Sequence, residues 1–396
     1  KTHMSERWSR LGGYMDQLCR EGISGCACLV YEGEAERFRR YCGLRDVERG
    51  LAPDGDTLYR IYSLTKLYTA VAILQLLEAG KLHMEDPVAE YLPEYRSLQV
   101  NEVAANGWNE VREAKSPLQV GHLLTMTSGI SYAYDNDGPT MRRTKEAVER
   151  FRREHEDFST REYASLFADI PLAFEPGSHF LYGAGYDVLA AVIEVVSGEL
   201  FGEYLRGHIW EPLGLKSTMF RLRDARDREN LCGMYGKQER GAGMGEISHG
   251  FVRVTDRDRF LQPESHFEEG GGGVLSTMDD YMRFLRMLAG GGALDGERIL
   301  TEESVRRMGT NRLSEEQIRE FPIPGYGYGC GVRVRLAADG LGPAGEFGWY
   351  GMSGSYALVD PVHELCFLYM QQMIPGRDKE IHPKLRRCLY EDYFER

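Results

Sequence analysis

The chain has 396 residues, 42% hydrophobic and 28% charged, enough for an ample core in one large domain or in two or three smaller ones. Its 61 acidic residues outnumber 48 basic ones, for a net charge of -13. That balance argues against a nucleic-acid partner, because the arginines near Arg142, Arg152 and Arg223 alternate with Glu and Asp as on solvated helix faces and form no basic stripe.

Lys1-Thr2-His3 ahead of Met4 reads as a cloning remnant, so residues 1-3 are left out of the fold. Ser5 to Arg20 reads as an amphipathic helix, with Trp8, Leu11, Met15 and Leu18 at helical spacing. Ile23 to Tyr31 alternates like a strand that puts Cys26 and Cys28 on one face, Glu32-Gly33-Glu34 turns, and Arg37 to Leu44 is the hairpin partner. An extended segment from Thr57 to Tyr62 then meets a helix carrying Leu64, Leu67, Tyr68, Val71, Leu74 and Leu77 and stopping at Ala79-Gly80. Ser63 stands at the junction as a suitable N-cap, and Lys66 follows one helical turn later on the same face. The free N–H groups of a helix start stabilise negative charge, and a lysine with a lowered pKa can take the serine's proton.

From Leu82 onward Asp86-Pro87 and Leu92-Pro93 break the chain, and helices with polar connections follow. Val120 to Ile130 is a short helix, Tyr134 to Thr140 a polar loop, Lys145 to Glu156 a charged surface helix, and Tyr186 to Ser197 an apolar helix ending at Gly198. Arg221 to Phe267, rich in charge and glycine, carries no assignable pattern. Glu269-Gly270-Gly271-Gly272-Gly273 lacks the Gly-Lys-Ser/Thr ending of a phosphate loop and reads as a flexible turn before a helix over Thr277 to Leu288. Helix returns at Leu300 to Met308. Strands follow at Tyr326 to Val334, Glu346 to Trp349, Ser355 to Val359 and Leu365 to Met370, closed by a helix over Pro383 to Tyr393. Strands at both ends and helices between them predict an α+β fold: an antiparallel sheet flanked by helices, built from 5-82 and 275-396, with a mainly helical domain inserted over 83-274. No apolar run is long enough to cross a bilayer, the cysteines and histidines show no metal spacing, and the cysteines read as buried thiols. A cytoplasmic protein with no membrane segment, metal or cofactor is expected, and the sequence leaves its oligomeric state open.

The order of four stretches carries a resemblance. Ser63-Leu64-Thr65-Lys66, His122 to Gly129, Pro176-Gly177-Ser178-His179-Phe180-Leu181-Tyr182 and Phe347 to Gly354 together resemble the motifs of the serine β-lactamase and penicillin-binding-protein family, in particular its class C-like branch with the related esterases. The likeness runs from about Ile23 to Ile374 and implies the β-lactamase-like α+β fold and a small-molecule acyl substrate: an ester, a β-lactam or a D-amino-acid peptide. Two departures bear on the substrate. The second motif is usually Tyr-x-Asn, and here Tyr182-Gly183-Ala184 has no amide. The third usually opens on Lys or His, and here Trp349-Tyr350-Gly351 has no cation, which is similar to β-lactamase-fold esterases. A carboxylate-bearing amide substrate would miss both groups, so ester cleavage or acyl transfer is favoured over lactam hydrolysis or D-Ala peptide cleavage.

The resemblance implies a mechanism. Ser63 forms an acyl-enzyme, and Lys66 and Tyr182 form the base system with one of them deprotonated. Tyr182 protonates the leaving group. The backbone N–H groups of Ser63 and Met352, the latter by its place after the third motif, form the oxyanion hole. Trp349, Tyr350, Gly351 and Ala184 are expected to contact substrate, while His122 and His363 are expected to be structural. Two other readings stand beside this one. Gly351-Met352-Ser353-Gly354-Ser355 approaches a nucleophile elbow around Ser353 with His363 downstream, and a protein of this fold can also be acylated without turnover, as a sensor or binding module.

Overall fold

A computed structural model describes residues 7–133, 138–237 and 250–395. The expected Tyr134 to Thr140 loop and the centre of the Arg221 to Phe267 stretch fall largely outside these residues. At the centre is a seven-stranded antiparallel sheet. Its strands are β1 (Gly25–Glu32), β2 (Ala35–Gly43), β3 (Tyr326–Tyr328), β4 (Arg333–Arg335), β5 (Phe347–Tyr350), β6 (Tyr356–Asp360) and β7 (Leu365–Gln371), in the order β3-β4-β5-β6-β7-β1-β2. The two ends of the chain meet where β1 pairs with β7, Cys26 opposite Gln371 and Glu32 opposite Leu365.

Alternation along the strands sorts side chains onto two faces, and both faces are covered. Ala27, Leu29, Ala357, Val359, Leu368 and Met370 face the larger core, while Cys26, Cys28, Val30, Leu358, Phe367 and Tyr369 face the smaller one. The smaller core is closed by α1 (Ser9–Arg20), whose Leu11, Met15 and Leu18 are fully buried. The larger core holds α2 (Thr65–Glu78), α3 (Gly185–Ser197) and α4 (Met278–Ala289), and α4 lies directly on β7, β6 and β1. α5 (Asp378–Phe394) packs against α1 on the other side. α2 is apolar almost all round because it is the central helix: Thr65 to Leu74 are buried without a break.

Several elements differ from the sequence reading. Tyr326 to Val334 is two strands rather than one, because Gly329 and Gly331 interrupt it and the chain turns back between them. Helix α5 begins five residues before Pro383, which it carries in its interior. A hairpin of Gln99–Val103 and Asn109–Glu113 stands where only helices were expected. The region 221–267 contributes a helix at Ala225–Asn230 and short strands at Tyr235–Lys237 and Phe251–Arg253. No helix among the described residues is long and apolar enough to cross a membrane.

Candidate active site

Ser63 lies inside a short 3-10 turn, Tyr62–Leu64, and α2 starts only at Thr65. It is therefore not the N-cap: that position is Leu64, with no side-chain cap bond. The hydroxyl is left for other partners. Tyr62, just before it, holds φ at +45°, a left-handed conformation that is costly for a bulky residue, on the order of 1–3 kcal/mol, and that the surrounding packing must enforce. Gly351 lets the β5 edge come close: a Cβ there would stand 2.9 Å from the Ile61 carbonyl oxygen.

Two polar side chains converge on the Ser63 hydroxyl. Tyr182 Oη donates to Ser63 Oγ at 2.7 Å, and Lys66 Nζ lies 3.2 Å from the same oxygen. Lys66 is fully buried, and its Nζ also bonds Tyr132 Oη and the Gly271 carbonyl, each at 2.6 Å. Those three contacts use every donor of an ammonium or, in the neutral amine, two donors and the lone pair turned to the serine. Burial lowers the Lys66 pKa to about 8, although the nearby carboxylates of Asp187 and Glu269 pull it back up. Burial pushes the Tyr182 phenol up to about 12, against the opposing effect of its hydrogen bonds with Ser63, Trp349 and Tyr132. Trp349 Nε1 donates to Tyr182 Oη at 3.3 Å and fixes the ring from behind.

Tyr132, Gly271 and Asp187 complete the cluster. Asp187 sits in the first turn of α3, 2% exposed, and desolvation raises its pKa to about 7. Its Oδ1 takes a weak bond from Gly271 N–H at 3.4 Å, and its Oδ2 has no hydrogen-bond partner among the described residues. The Gly270-Gly271 stretch is a packed seam rather than a flexible turn, since Gly270 and Gly271 carbonyls accept from Thr69 and Lys66. A Cβ on Gly271 would lie 2.9 Å from both Asp187 Oδ2 and Tyr132 Oη and 3.3 Å from Lys66 Nζ, so only glycine leaves room for the lysine's network. The sequence reading named neither Tyr132 nor Gly271 as part of the site. Tyr132 lies just past the His122 to Gly129 stretch, and that neighbourhood was the available signal.

Ser63 opens onto a cavity of about 360 Å³ lined by Tyr62, Tyr132, Tyr163, Arg152, Glu269 and Met352 among others. A larger cavity of about 630 Å³ around Trp210, Phe220 and Arg223 holds none of these reactive groups, so chemistry rather than volume picks out the smaller one. Met352 follows the third-motif strand at the cavity wall, with its side chain 48% exposed. Trp349, Gly351 and Ala184 are buried behind the wall, Ala184 at the N-cap of α3, and the half-buried Tyr350 packs on Trp349 and His382. None of these four lines the cavity. Ser353 is fully buried and bonded by Gln372, while His363 is bonded to Asp360 against Tyr393 and Phe394, so the elbow reading has no assembled pair. His122 closes a capping box with Gln119. Among the described residues no group of three or more His, Cys, Asp or Glu side chains is placed to hold a metal ion.

Comparison with known proteins gives the family. The Beta-lactamase family model matches residues 9–390. Protein Rv1367c of Mycobacterium tuberculosis is 31% identical over 371 residues, covering 91% of this chain and 88% of that protein. Esterase EstB of Burkholderia gladioli is 28% identical over 385 residues, covering 91% and 89%. Among solved structures, EstCE1, a hydrolase with promiscuous acyltransferase activity, superposes with a TM-score of 0.78 at 22% identity over 98% of this chain and 100% of that one. The chain belongs to the Beta-lactamase family and is an enzyme of the serine-hydrolase type.

Proposed function

We propose that the protein is an esterase and acyltransferase working through an acyl-Ser63 intermediate on a small acyl ester. The observation that carries this reading is the meeting of Lys66 Nζ and Tyr182 Oη on one serine oxygen. With pKa values near 8 and 12, the lysine is the base and the tyrosine keeps its proton. Ser63 Oγ attacks the carbonyl carbon and passes its proton to neutral Lys66. The backbone N–H groups of Ser63 and Met352 receive the developing oxyanion. As the acyl–oxygen bond breaks, Tyr182 protonates the departing alkoxide and is reprotonated from Lys66 through Tyr132, whose hydroxyl bonds the amine at 2.6 Å and also bonds the Tyr182 hydroxyl. Water or an acceptor alcohol then gives its proton to the same base as its oxygen bonds the acyl carbon, and Ser63 Oγ leaves, taking that proton back from Lys66 and freeing the acyl group as an acid or a new ester. The third motif, Trp349-Tyr350-Gly351, supplies no cation for the carboxylate of a lactam or D-Ala peptide, which favours esters.

The test is a panel of p-nitrophenyl esters with and without an acceptor alcohol, nitrocefin and a D-Ala-D-Ala peptide, each on the wild type and Ser63→Ala. Repeated ester turnover lost in Ser63→Ala supports the reading. Preferred hydrolysis of nitrocefin, or a single acylation equivalent with no turnover, overturns it.

A further inference from the structure

We infer that the cavity in front of Ser63 is built for a substrate bearing a carboxylate, with Arg152 as its anchor. The inference rests on the acyl-Ser63 reading and adds the chemical class of the substrate. Arg152 projects from the Pro139–Glu154 helix into the cavity that Ser63 opens onto. Its surroundings are aromatic: Nη2 reaches Tyr163 Oη at 3.4 Å, and the guanidinium lies 5.7 Å from the Tyr163 ring centre and 6.0 Å from that of Phe260. Its Nε is buried and has no hydrogen-bond partner among the described residues. No carboxylate pairs with it among the described residues. Glu149, one turn earlier, stands exposed at the rim.

The other cavity arginine differs. Arg257 is answered by Glu269 at 3.2 Å and lies over Tyr62. Arg259, bonded to the Arg152 carbonyl and 4.6 Å from the Phe260 ring, adds a second cation beside Arg152. A half-buried guanidinium with a dry, unpaired N–H is a costly arrangement that a bound carboxylate relieves, and the planar fork fits that anion in two-point contact. The remaining wall (Tyr132, Ala133, Val148, Phe167) suits an apolar body between the anion and the reacting carbonyl. Such a carboxylate sits on the helical wall, away from the strand edge where the third motif lacks a cation.

The experiment uses two matched ester pairs: p-nitrophenyl valerate against mono-p-nitrophenyl glutarate, and phenyl acetate against 4-carboxyphenyl acetate. They place the anion on the acyl side or the alcohol side. The readout is the ratio of kcat/KM for charged over neutral ester. In one pair the wild-type ratio is expected to fall about 10- to 100-fold in Arg152→Gln, mainly through KM, and to recover in part in Arg152→Lys. An Arg152-independent ratio in both pairs overturns the inference. Calorimetric binding of mono-p-nitrophenyl glutarate to Ser63→Ala, with and without Arg152→Gln, separates the claims. Arg152-dependent binding by a protein that turns over no ester keeps the anion site and removes the esterase. Turnover with no dependence of either rate or binding on Arg152 does the reverse.

Discussion

If Lys66 is the base, the rate must follow its neutral fraction. Its depressed pKa of about 8 follows from complete burial, with Asp187 and Glu269 opposing the shift. The amine is then neutral in roughly one molecule in eleven at pH 7 and about ten in eleven at pH 9, so kcat/KM should climb about tenfold between them. Tyr182, near 12, contributes no inflection in this range. Stopped-flow p-nitrophenol release from a neutral ester between pH 5.5 and 9.5 measures the curve. The sign of a second perturbation is also fixed. Asp187→Asn removes an anion that stabilises the ammonium, so the midpoint moves to lower pH. A flat profile over this range, or a midpoint that moves up in Asp187→Asn, would refute the assignment of Lys66 as the base.

Tyr182→Phe keeps the ring but deletes the donor to Ser63, and kcat should fall by about 100- to 10,000-fold with KM little changed in steady-state assays. Gly271→Ala drives a methyl against Lys66, Asp187 and Tyr132, and a loss of about 100-fold in kcat/KM is expected with unchanged far-UV circular dichroism. Trp349→Phe removes the indole bond that holds the Tyr182 phenol down, and kcat should fall about 3- to 10-fold. On the outer face, Arg386→Met leaves buried Glu346 without its guanidinium partner at 2.7 Å, and urea unfolding should show a loss of about 3–5 kcal/mol.

Legibility in the sequence followed periodicity. The strand from Cys26 to Val30 and the apolar run of α2 were readable because both are continuously apolar and buried, β1 between two cores and α2 at the centre of the larger one. Ser63, Lys66 and Tyr182 were readable through the order of their motifs, and the structure brings them together. The Gln99–Val103 and Asn109–Glu113 hairpin was not, because most of its side chains are exposed and it has no apolar face. Tyr132 and Gly271 reach Lys66 through tertiary packing, and no local spacing encodes that approach. Arg152 sits among charged neighbours on an exposed-looking helix and read as solvated, and its helix turns it into the cavity instead. The left-handed Tyr62 is likewise invisible in sequence, since nothing in a tyrosine announces positive φ.

The most direct test asks which atom carries the acyl group. Rapid acid quench of the protein with a p-nitrophenyl ester, followed by intact mass and peptide mapping, should show one acyl adduct on the peptide containing Ser63 and none in Ser63→Ala. An adduct on Ser353, or full turnover by Ser63→Ala, would contradict the account.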